Sequence, residues 1–210
     1  MTSFLLFSPD FDYLEMPWID YCLSQIPIIR TDSYSDILLN HQLFPIFLIS
    51  ENSSESKTIM AFCRDKLSAT GRAYAVFHIS DEWYIKSDYS MLYSNATFVI
   101  RNYYSPHLSH PRILQIPLGA DFGYLRSITG ICKKFADRSH HVFFSGQMKY
   151  SRHSMLESMQ DLLEVDKCGG FQNYSDYILS LADCKFALCP NGNTTPDTYR
   201  PVSYTHLTLP

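Results

Sequence analysis

Short apolar runs alternate with stretches of helical periodicity over the first 117 residues. Six of these runs predict buried strands: Phe4–Phe7, Pro27–Arg30, Pro45–Ile49, Tyr74–Ile79, Thr97–Arg101 and Ile113–Pro117. They are mostly continuous rather than alternating, which is typical of a parallel sheet that is covered on both faces. Ser54–Ala69 has apolar residues at helical spacing and is followed by Gly71, a residue that commonly ends helices. The pattern predicts an α/β domain built from right-handed strand–helix–strand crossovers.

A second unit with the same alternation begins near residue 137. Its predicted elements are the strand His141–Ser145, the helices Ser151–Leu163 and Asn173–Ala182, the strand Lys185–Cys189 and a helix start at Pro196–Thr198. Residues 127–137 are the predicted connection. We therefore expect one domain at residues 1–130 and a second at 137–200. Residues 201–210 do not continue the preceding helical pattern, and we expect them to be a tail of foreign or frame-shifted origin.

Composition narrows the class of protein. Hydrophobic residues make up 46% and charged residues 18% of the 210, a balance that can bury a core. The formal net charge is −4, which excludes a basic surface that would wrap nucleic acid. The chain has 15 Tyr and 14 Phe, which suit core packing first and sugar stacking second. No run of 18 apolar residues and no signal peptide occurs, so we expect a chain without a membrane span.

The cysteine pattern indicates reduced thiols. The six cysteines include no C-x-x-C pair, and their spacing fits neither a zinc site nor a small disulfide scaffold. Cys184 and Cys189 flank a predicted strand, and we expect both to be buried thiols. His140–His141 lacks a third ligand at a sensible spacing, which argues against a metal site there. Cytoplasmic location is the expectation from these features.

A glycine turn followed by two cations is the strongest candidate for a binding site. The predicted strand that ends at Ser145 is followed by Gly146, and Lys149 and Arg152 lie at the start of the next helix. Glycine lets a ligand approach the backbone, and a helix amino terminus attracts phosphate. Lys149 and Arg152 are three residues apart and so share a helix face, where they would clamp a diphosphate. The alternative is a solvated helix start with two ordinary surface cations.

A second glycine-containing loop follows the predicted strand Lys185–Cys189. Its candidate ligand-binding residues are Pro190, Gly192, Asn193, Thr194, Thr195, Asp197, Thr198 and Arg200. In open α/β sheets, ligands bind beyond the carboxyl ends of the strands, where these residues lie. The alternative is a locally capped turn, because Thr and Asp before a helix are common for that reason alone.

Polar residues also cluster at the ends of two strands in the first domain. His78, Asp81 and Glu82 follow one strand, and Arg101 and Asn102 follow the next. A carboxylate at this position would serve as a general base on a sugar hydroxyl. The alternative is a loop whose acids face water. The motifs of serine hydrolases, P-loop ATPases, zinc proteases and dinucleotide-binding proteins are all missing, which disfavours those classes.

Taken in order, the motifs resemble the exostosin glycosyltransferase family and its xylosyltransferase relatives. The matching segments, which fall between residues 74 and 200, are H-I-S-D-E at His78–Glu82, V-I-R-N-Y-Y at Val99–Tyr104, I-P-L-G at Ile116–Gly119, F-F-S-G-x-x-K-x-x-R at Phe143–Arg152 and C-P-N-G-N-T-T-P-D-T-Y-R at Cys189–Arg200. Each is modest alone, and five in the right order are fairly specific. The first 70 residues match only in pattern.

The resemblance implies a GT-B fold with two Rossmann-like domains, the second of them incomplete. It implies an inverting enzyme without an essential metal or other cofactor, which moves a sugar from a nucleotide-sugar, typically a UDP-sugar, to a glycan acceptor. Gly146, Lys149 and Arg152 would hold the diphosphate, and the loop after Cys189 would line the nucleotide and sugar. His78, Arg101 and Asn102 would lie on the acceptor side, with Asp81 or Glu82 as the base.

One departure from the family pattern stands at the end of the chain. Where the family continues with a Glu-Ala helix, a glycine and an Ile-Pro strand, this chain has Pro201–Pro210. We therefore expect impaired donor binding, and a non-catalytic glycan- or nucleotide-binding remnant is the alternative function. Because the Golgi members of the family have an upstream membrane anchor, the Golgi lumen is the alternative location.

Overall fold

The chain divides into two compact units, the first consisting mainly of residues 1–119 and the second mainly of residues 120–192. The computed structural model describes residues 4–9, 16–24, 26–50, 54–80, 89–105, 110–116, 133–146, 148–149, 152–160, 165–168 and 173–190. Within these ranges no helix is both long enough and apolar enough to cross a membrane.

A parallel sheet of six strands forms the centre of the first unit. The strands are β1 (Phe4–Phe7), β2 (Ile28–Thr31), β3 (Phe44–Ser50), β4 (Ala75–Ile79), β5 (Phe98–Arg101) and β6 (Ile113–Gln115). Their order in the sheet is β2-β1-β3-β4-β5-β6, and every neighbouring pair is parallel. The predicted parallel α/β sheet is therefore confirmed, and each predicted run coincides with a strand to within about two residues.

Burial decreases from the centre of this sheet to its edges. All five residues of β4 are buried, as are five of the seven in β3. The outermost strands are more open, with Ile29 of β2 and Leu114 of β6 more than half exposed. The prediction that all six strands are buried is thus wrong for β2 and β6. Strands β2 and β6 are the outermost strands of the described sheet, and each is covered by a neighbouring strand on one side only. A continuous apolar run does not distinguish such an edge strand from a central one.

In the part of the first unit that the structure describes, the strands are accompanied by α1 (Met16–Leu23), α2 (Tyr34–Leu39), α3 (Glu55–Phe62) and α4 (Ser90–Asn95). After α3 the chain continues through a π-helical turn (Cys63–Leu67) and a 3-10 turn (Ser68–Thr70). Gly71 then takes a left-handed conformation with φ 65°. This confirms the predicted helix and its glycine stop, because only glycine adopts that φ without strain.

Helices pack on both faces of the first sheet. Side chains of α3 and α4, with Ile37 of α2, join one face of the central strands in the larger core cluster. Ile19 of α1 packs in the cluster of the opposite face, with Leu6, Leu48 and Phe77. The chain runs from β1 to β2 and then crosses back to β3, so its direction of winding reverses between β1 and β3. In such doubly wound folds the crevice beyond the carboxyl edge at this reversal is the usual place for a ligand.

The second unit contains a parallel sheet of three strands in the order β8-β7-β9. Its elements are β7 (His140–Ser145), α5 (Arg152–Gln160), β8 (Val165–Cys168), α6 (Tyr174–Ala182) and β9 (Cys184–Ala187). The two predicted strands and the first two predicted helices are confirmed, whereas the predicted helix start at Pro196–Thr198 lies outside the described residues. Strand β8 was missed because its two central residues are Asp and Lys. Phe143, Ile178 and Leu181 form its core with Cys184. Asn173 caps α6 by accepting a hydrogen bond from the Asp176 N–H at 3.0 Å.

Candidate functional site

Buried polar side chains end β4 and β5, at the carboxyl edge of the first sheet. His78 and Arg101 are register partners on the two parallel strands. Because register partners point to the same face, both side chains lie on one side of the sheet. Each is 1% exposed, and Asn102, the next residue after β5, is 2% exposed. The structure therefore brings together the three predicted acceptor-side residues and buries all of them.

Tyr93 of α4 joins the two buried side chains. Its phenol oxygen lies 2.7 Å from Nδ1 of His78 in a hydrogen bond. Arg101 donates from Nη1 to the same oxygen at 3.1 Å and from Nε to the carbonyl oxygen of Tyr103. The ring of Tyr89 packs edge-on against the imidazole, with centroids 4.6 Å apart. A packed network thus fixes the imidazole and the guanidinium in place.

Burial lowers the pKa of His78 well below its ordinary value, and the nearby positive charge of Arg101 lowers it further. The imidazole is therefore neutral at neutral pH. Its Nε2 atom and Oδ1 of Asn102 are buried and have no hydrogen-bond partner among the described residues. Buried polar atoms of this kind are uncommon and point to a neighbour that completes them.

Ser80, directly after β4, has a strained backbone. Its φ is 58°, and it is the one non-glycine residue with positive φ in the described ranges. Such a conformation is uncommon for residues with a side chain and tends to occur at functional sites. Backbone strain and buried polar groups thus coincide where β4 ends.

Four of the predicted donor-binding residues, Gly146, Lys149, Arg152 and Pro190, lie in the part of the second unit that the structure describes. Gly146 follows β7 with φ 152°, a conformation that favours glycine. Lys149 is exposed, and its carbonyl oxygen accepts a hydrogen bond from N–H of Arg152, the first residue of α5. The N–H of Leu188 donates to the carbonyl oxygen of Phe143 at 2.9 Å, so the chain after β9 runs alongside β7. Gly146 and the half-buried Pro190 therefore follow adjacent parallel strands at the same sheet edge.

The remaining predicted site residues lie outside the described residues. They are the proposed base residues Asp81 and Glu82, and Gly192, Asn193, Thr194, Thr195, Asp197, Thr198 and Arg200 of the second loop. Their assignments stay predictions.

Sequence reasoning missed Tyr93 and Tyr89, the aromatic partners of His78. The signal was available: Tyr89, Leu92, Tyr93 and Ala96 are spaced as one face of a helix, and all four are buried. Helical spacing predicts that such a face is buried. It does not predict that the phenol of Tyr93 meets a histidine 15 residues earlier in the chain, since that contact needs the crossover to be folded.

Four cysteines whose side chains the structure describes form no disulfide. Cys63 and Cys184 are buried, Cys189 is half-buried and Cys22 is exposed. Burial is thus confirmed for Cys184 and only partial for Cys189. Among the described residues, no three His, Cys, Asp or Glu side chains are grouped as one metal ion would require.

Comparison with known proteins gave no match: no protein-family model, no curated protein and no solved structure is significantly similar to this chain. The fold and the two groups of candidate residues define the class of this protein. It is an α/β protein with a parallel sheet in each unit and with polar groups at the carboxyl edges of both sheets.

Proposed function

We propose that this chain is an inverting glycosyltransferase of the GT-B type, with a nucleotide-sugar, typically a UDP-sugar, as donor and a glycan as acceptor. Parallel α/β sheets in both units support this proposal, because two Rossmann-like domains are what the GT-B fold contains. The order of the five sequence motifs supports it as well. The second unit would bind the donor and the first unit the acceptor.

The proposal rests mainly on the residues at the carboxyl edge of the second sheet. There a strand ends at Gly146, which has no side chain to keep a ligand from the backbone, and α5 begins six residues later with Arg152. A helix amino terminus and two cations, Lys149 and Arg152, suit a diphosphate. Pro190 lies at the same edge, which is where the second loop leaves its strand.

The chemistry we propose is direct displacement at the anomeric carbon. A carboxylate, Asp81 or Glu82, takes the proton of an acceptor hydroxyl while the nucleoside diphosphate leaves. Lys149, Arg152 and the helix dipole of α5 would stabilise the charge that develops on the leaving group. The buried network of His78, Tyr93 and Arg101 would hold the end of β4, from which the base segment follows.

Donor binding is tested by calorimetric titration of the full 210-residue chain with UDP and with UDP-sugars. We expect Lys149→Ala and Arg152→Ala each to weaken UDP binding by about tenfold, since each removes a charge-assisted hydrogen bond to phosphate. Lys66→Ala is the matched control, because Lys66 is an exposed lysine of the first unit. Unchanged affinity in both test variants would exclude the diphosphate role.

A non-catalytic glycan- or nucleotide-binding protein is the alternative function. The burial of His78, Arg101 and Asn102 favours it, because groups that are 1–2% exposed do not meet an acceptor without rearrangement. Transfer assays with labelled UDP-sugars and oligosaccharide acceptors separate the two functions. Binding without transfer from any donor would support the alternative, and transfer that is lost on Asp81→Asn or Glu82→Gln with donor binding intact would support the enzyme.

A further inference from the structure

An open cleft of about 450 Å³ lies at the carboxyl ends of β1 and β2, beside the point where the winding of the first sheet reverses. We call it the β1–β2 cleft. Ser8 and Pro9 line it from the end of β1, Arg30 and Asp32 from the end of β2, and Met16 and Asp20 from α1. Its volume lies within the range of about 300–1,000 Å³ that is typical of small-molecule sites. None of these residues belongs to the motifs discussed above.

The backbone around the cleft is held in place. Ser8 N–H donates to the carbonyl oxygen of Thr31 at 3.0 Å, which ties the end of β1 to the end of β2. The Thr31 hydroxyl donates to Asp36 of α2 at 2.7 Å and accepts from Ser33 N–H at 3.0 Å. These bonds fix the turn that carries Asp32. The β1 and β2 side of the cleft is therefore held in place before a ligand binds, which reduces the entropy lost on binding.

The polar groups of the cleft are spread over two of its walls. Arg30 donates from Nη2 to Oδ1 of Asp20 at 2.6 Å, and both side chains remain more than 40% exposed. This bond uses one of the five N–H donors of the guanidinium. Asp32, which follows β2 on the same side of the cleft as Arg30, is exposed, and its carboxylate has no hydrogen-bond or ion-pair partner among the described residues. The cleft thus offers carboxylate acceptors and guanidinium donors to a ligand.

Charge and shape select the class of ligand. The described lining contains two carboxylates, Asp20 and Asp32, and one guanidinium, which is paired with Asp20, so its net charge is negative and disfavours phosphate or another anion. An uncharged ring with several hydroxyls fits better, because adjacent hydroxyls donate to the two oxygens of a carboxylate and accept from a guanidinium. Met16 and Pro9 supply apolar surface for the C–H face of such a ring.

We propose that the β1–β2 cleft binds a pyranose ring of an uncharged glycan, with Asp32 and the Arg30–Asp20 pair as its hydrogen-bonding groups. This inference rests on the proposed function, in which the first unit binds the acceptor. It places a sugar contact beyond the carboxyl ends of β1 and β2, away from the buried side chains that end β4 and β5.

The test is an NMR titration of the full ¹⁵N-labelled chain with methyl β-D-glucopyranoside. We expect saturable shifts in the amides of Ser8, Thr31 and Asp32. Asp32→Ala should weaken binding by about tenfold, or roughly 1.4 kcal/mol, because one charged acceptor is lost. Asp65→Ala is the matched control, since Asp65 is an exposed aspartate on the π-helical turn and should leave the affinity unchanged. Asp32 is exposed, so its removal does not threaten the fold.

The titration and the transfer assay distinguish failure of the proposed sugar site from failure of the proposed enzyme. Absence of cleft shifts, or equal affinities of the Asp32→Ala and Asp65→Ala variants, would overturn the inference. So would tighter binding of methylammonium or inorganic phosphate than of the glucoside, because the cleft would then be an ion site. Sugar binding in the cleft without transfer activity would leave the cleft in place and refute the enzyme. Transfer activity whose acceptor KM is unaffected by Asp32→Ala would refute the cleft and leave the enzyme in place.

Discussion

Replacing Tyr93 with Phe removes one oxygen atom from the interior of the first unit. That oxygen bonds Nδ1 of His78 at 2.7 Å and accepts from Nη1 of Arg101 at 3.1 Å. Both partners are 1% exposed, so water cannot replace the lost bonds without local opening. The substitution leaves the ring packing intact, and its effect therefore reports on the hydrogen bonds.

The magnitude follows from the two atoms that lose this hydrogen bond, Nδ1 of His78 and Nη1 of Arg101. A buried polar group left without a hydrogen bond costs about 1–3 kcal/mol, and a charged one lies toward the upper end. Two such groups give about 2–6 kcal/mol, and because they share one network the costs are not additive. We expect Tyr93→Phe to lower the free energy of unfolding by about 3 kcal/mol, a large part of the 5–15 kcal/mol that is typical of domains.

Two other tyrosines supply graded controls. The Tyr74 hydroxyl donates to the Leu92 carbonyl oxygen at 3.0 Å in the same core, so Tyr74→Phe leaves one neutral acceptor unsatisfied and should cost about 1–2 kcal/mol. Tyr21 is 60% exposed, and Tyr21→Phe should stay within about 0.5 kcal/mol of the parent chain. Urea denaturation of the full chain measures all three variants, and hydrogen exchange of β4 and β5 amides locates the effect. A cost for Tyr93→Phe no larger than that for Tyr21→Phe would refute the reasoning.

Two further predictions concern protons and thiols. Burial, aided by Arg101, lowers the pKa of His78 in the folded chain, so below about pH 6.5 the unfolded chain takes up a proton that the folded chain does not. This group's contribution to stability is therefore complete above pH 6.5 and falls with a slope that approaches about 1.4 kcal/mol per pH unit below it. His78→Gln should reduce that slope in urea denaturation between about pH 5 and 7, and an unchanged slope would contradict the assignment. Burial also raises the pKa of the Cys63 thiol, and raises that of Cys184 to about 12. A thiol-specific disulfide reagent, followed by mass mapping, should modify the exposed Cys22 in the folded chain and the other two after unfolding, whereas early modification of Cys63 would show that its helix opens.

For the candidate site at the ends of β4 and β5, the sequence predicted the positions of the residues along the chain but not their burial or their contacts. Polar residues after an apolar run marked His78, Arg101 and Asn102 as strand ends, and the structure places them there. Their burial was not predictable, because the sequence around them resembles an exposed loop. Burial depends on the packing of α4 against β4 and β5: helical spacing marks the apolar face of α4, but it does not show that Tyr93 on that face meets His78. The aspartates and the arginine of the β1–β2 cleft were missed for a similar reason, since they belong to no motif and meet only through the pairing of β1 with β2.

The sequence by itself determined the alternation of strands and helices, the parallel character of the first sheet and the end of the helical segment at Gly71. These features follow from local properties: continuous apolar runs require cover on both faces, and a left-handed backbone requires glycine. Only the tertiary structure decided which strands lie at the edge, where the winding reverses and which side chains share one hydroxyl. Strand order joins residues that are distant in sequence, and the contact of Tyr93 with both His78 and Arg101 exists only once β4, α4 and β5 have packed together.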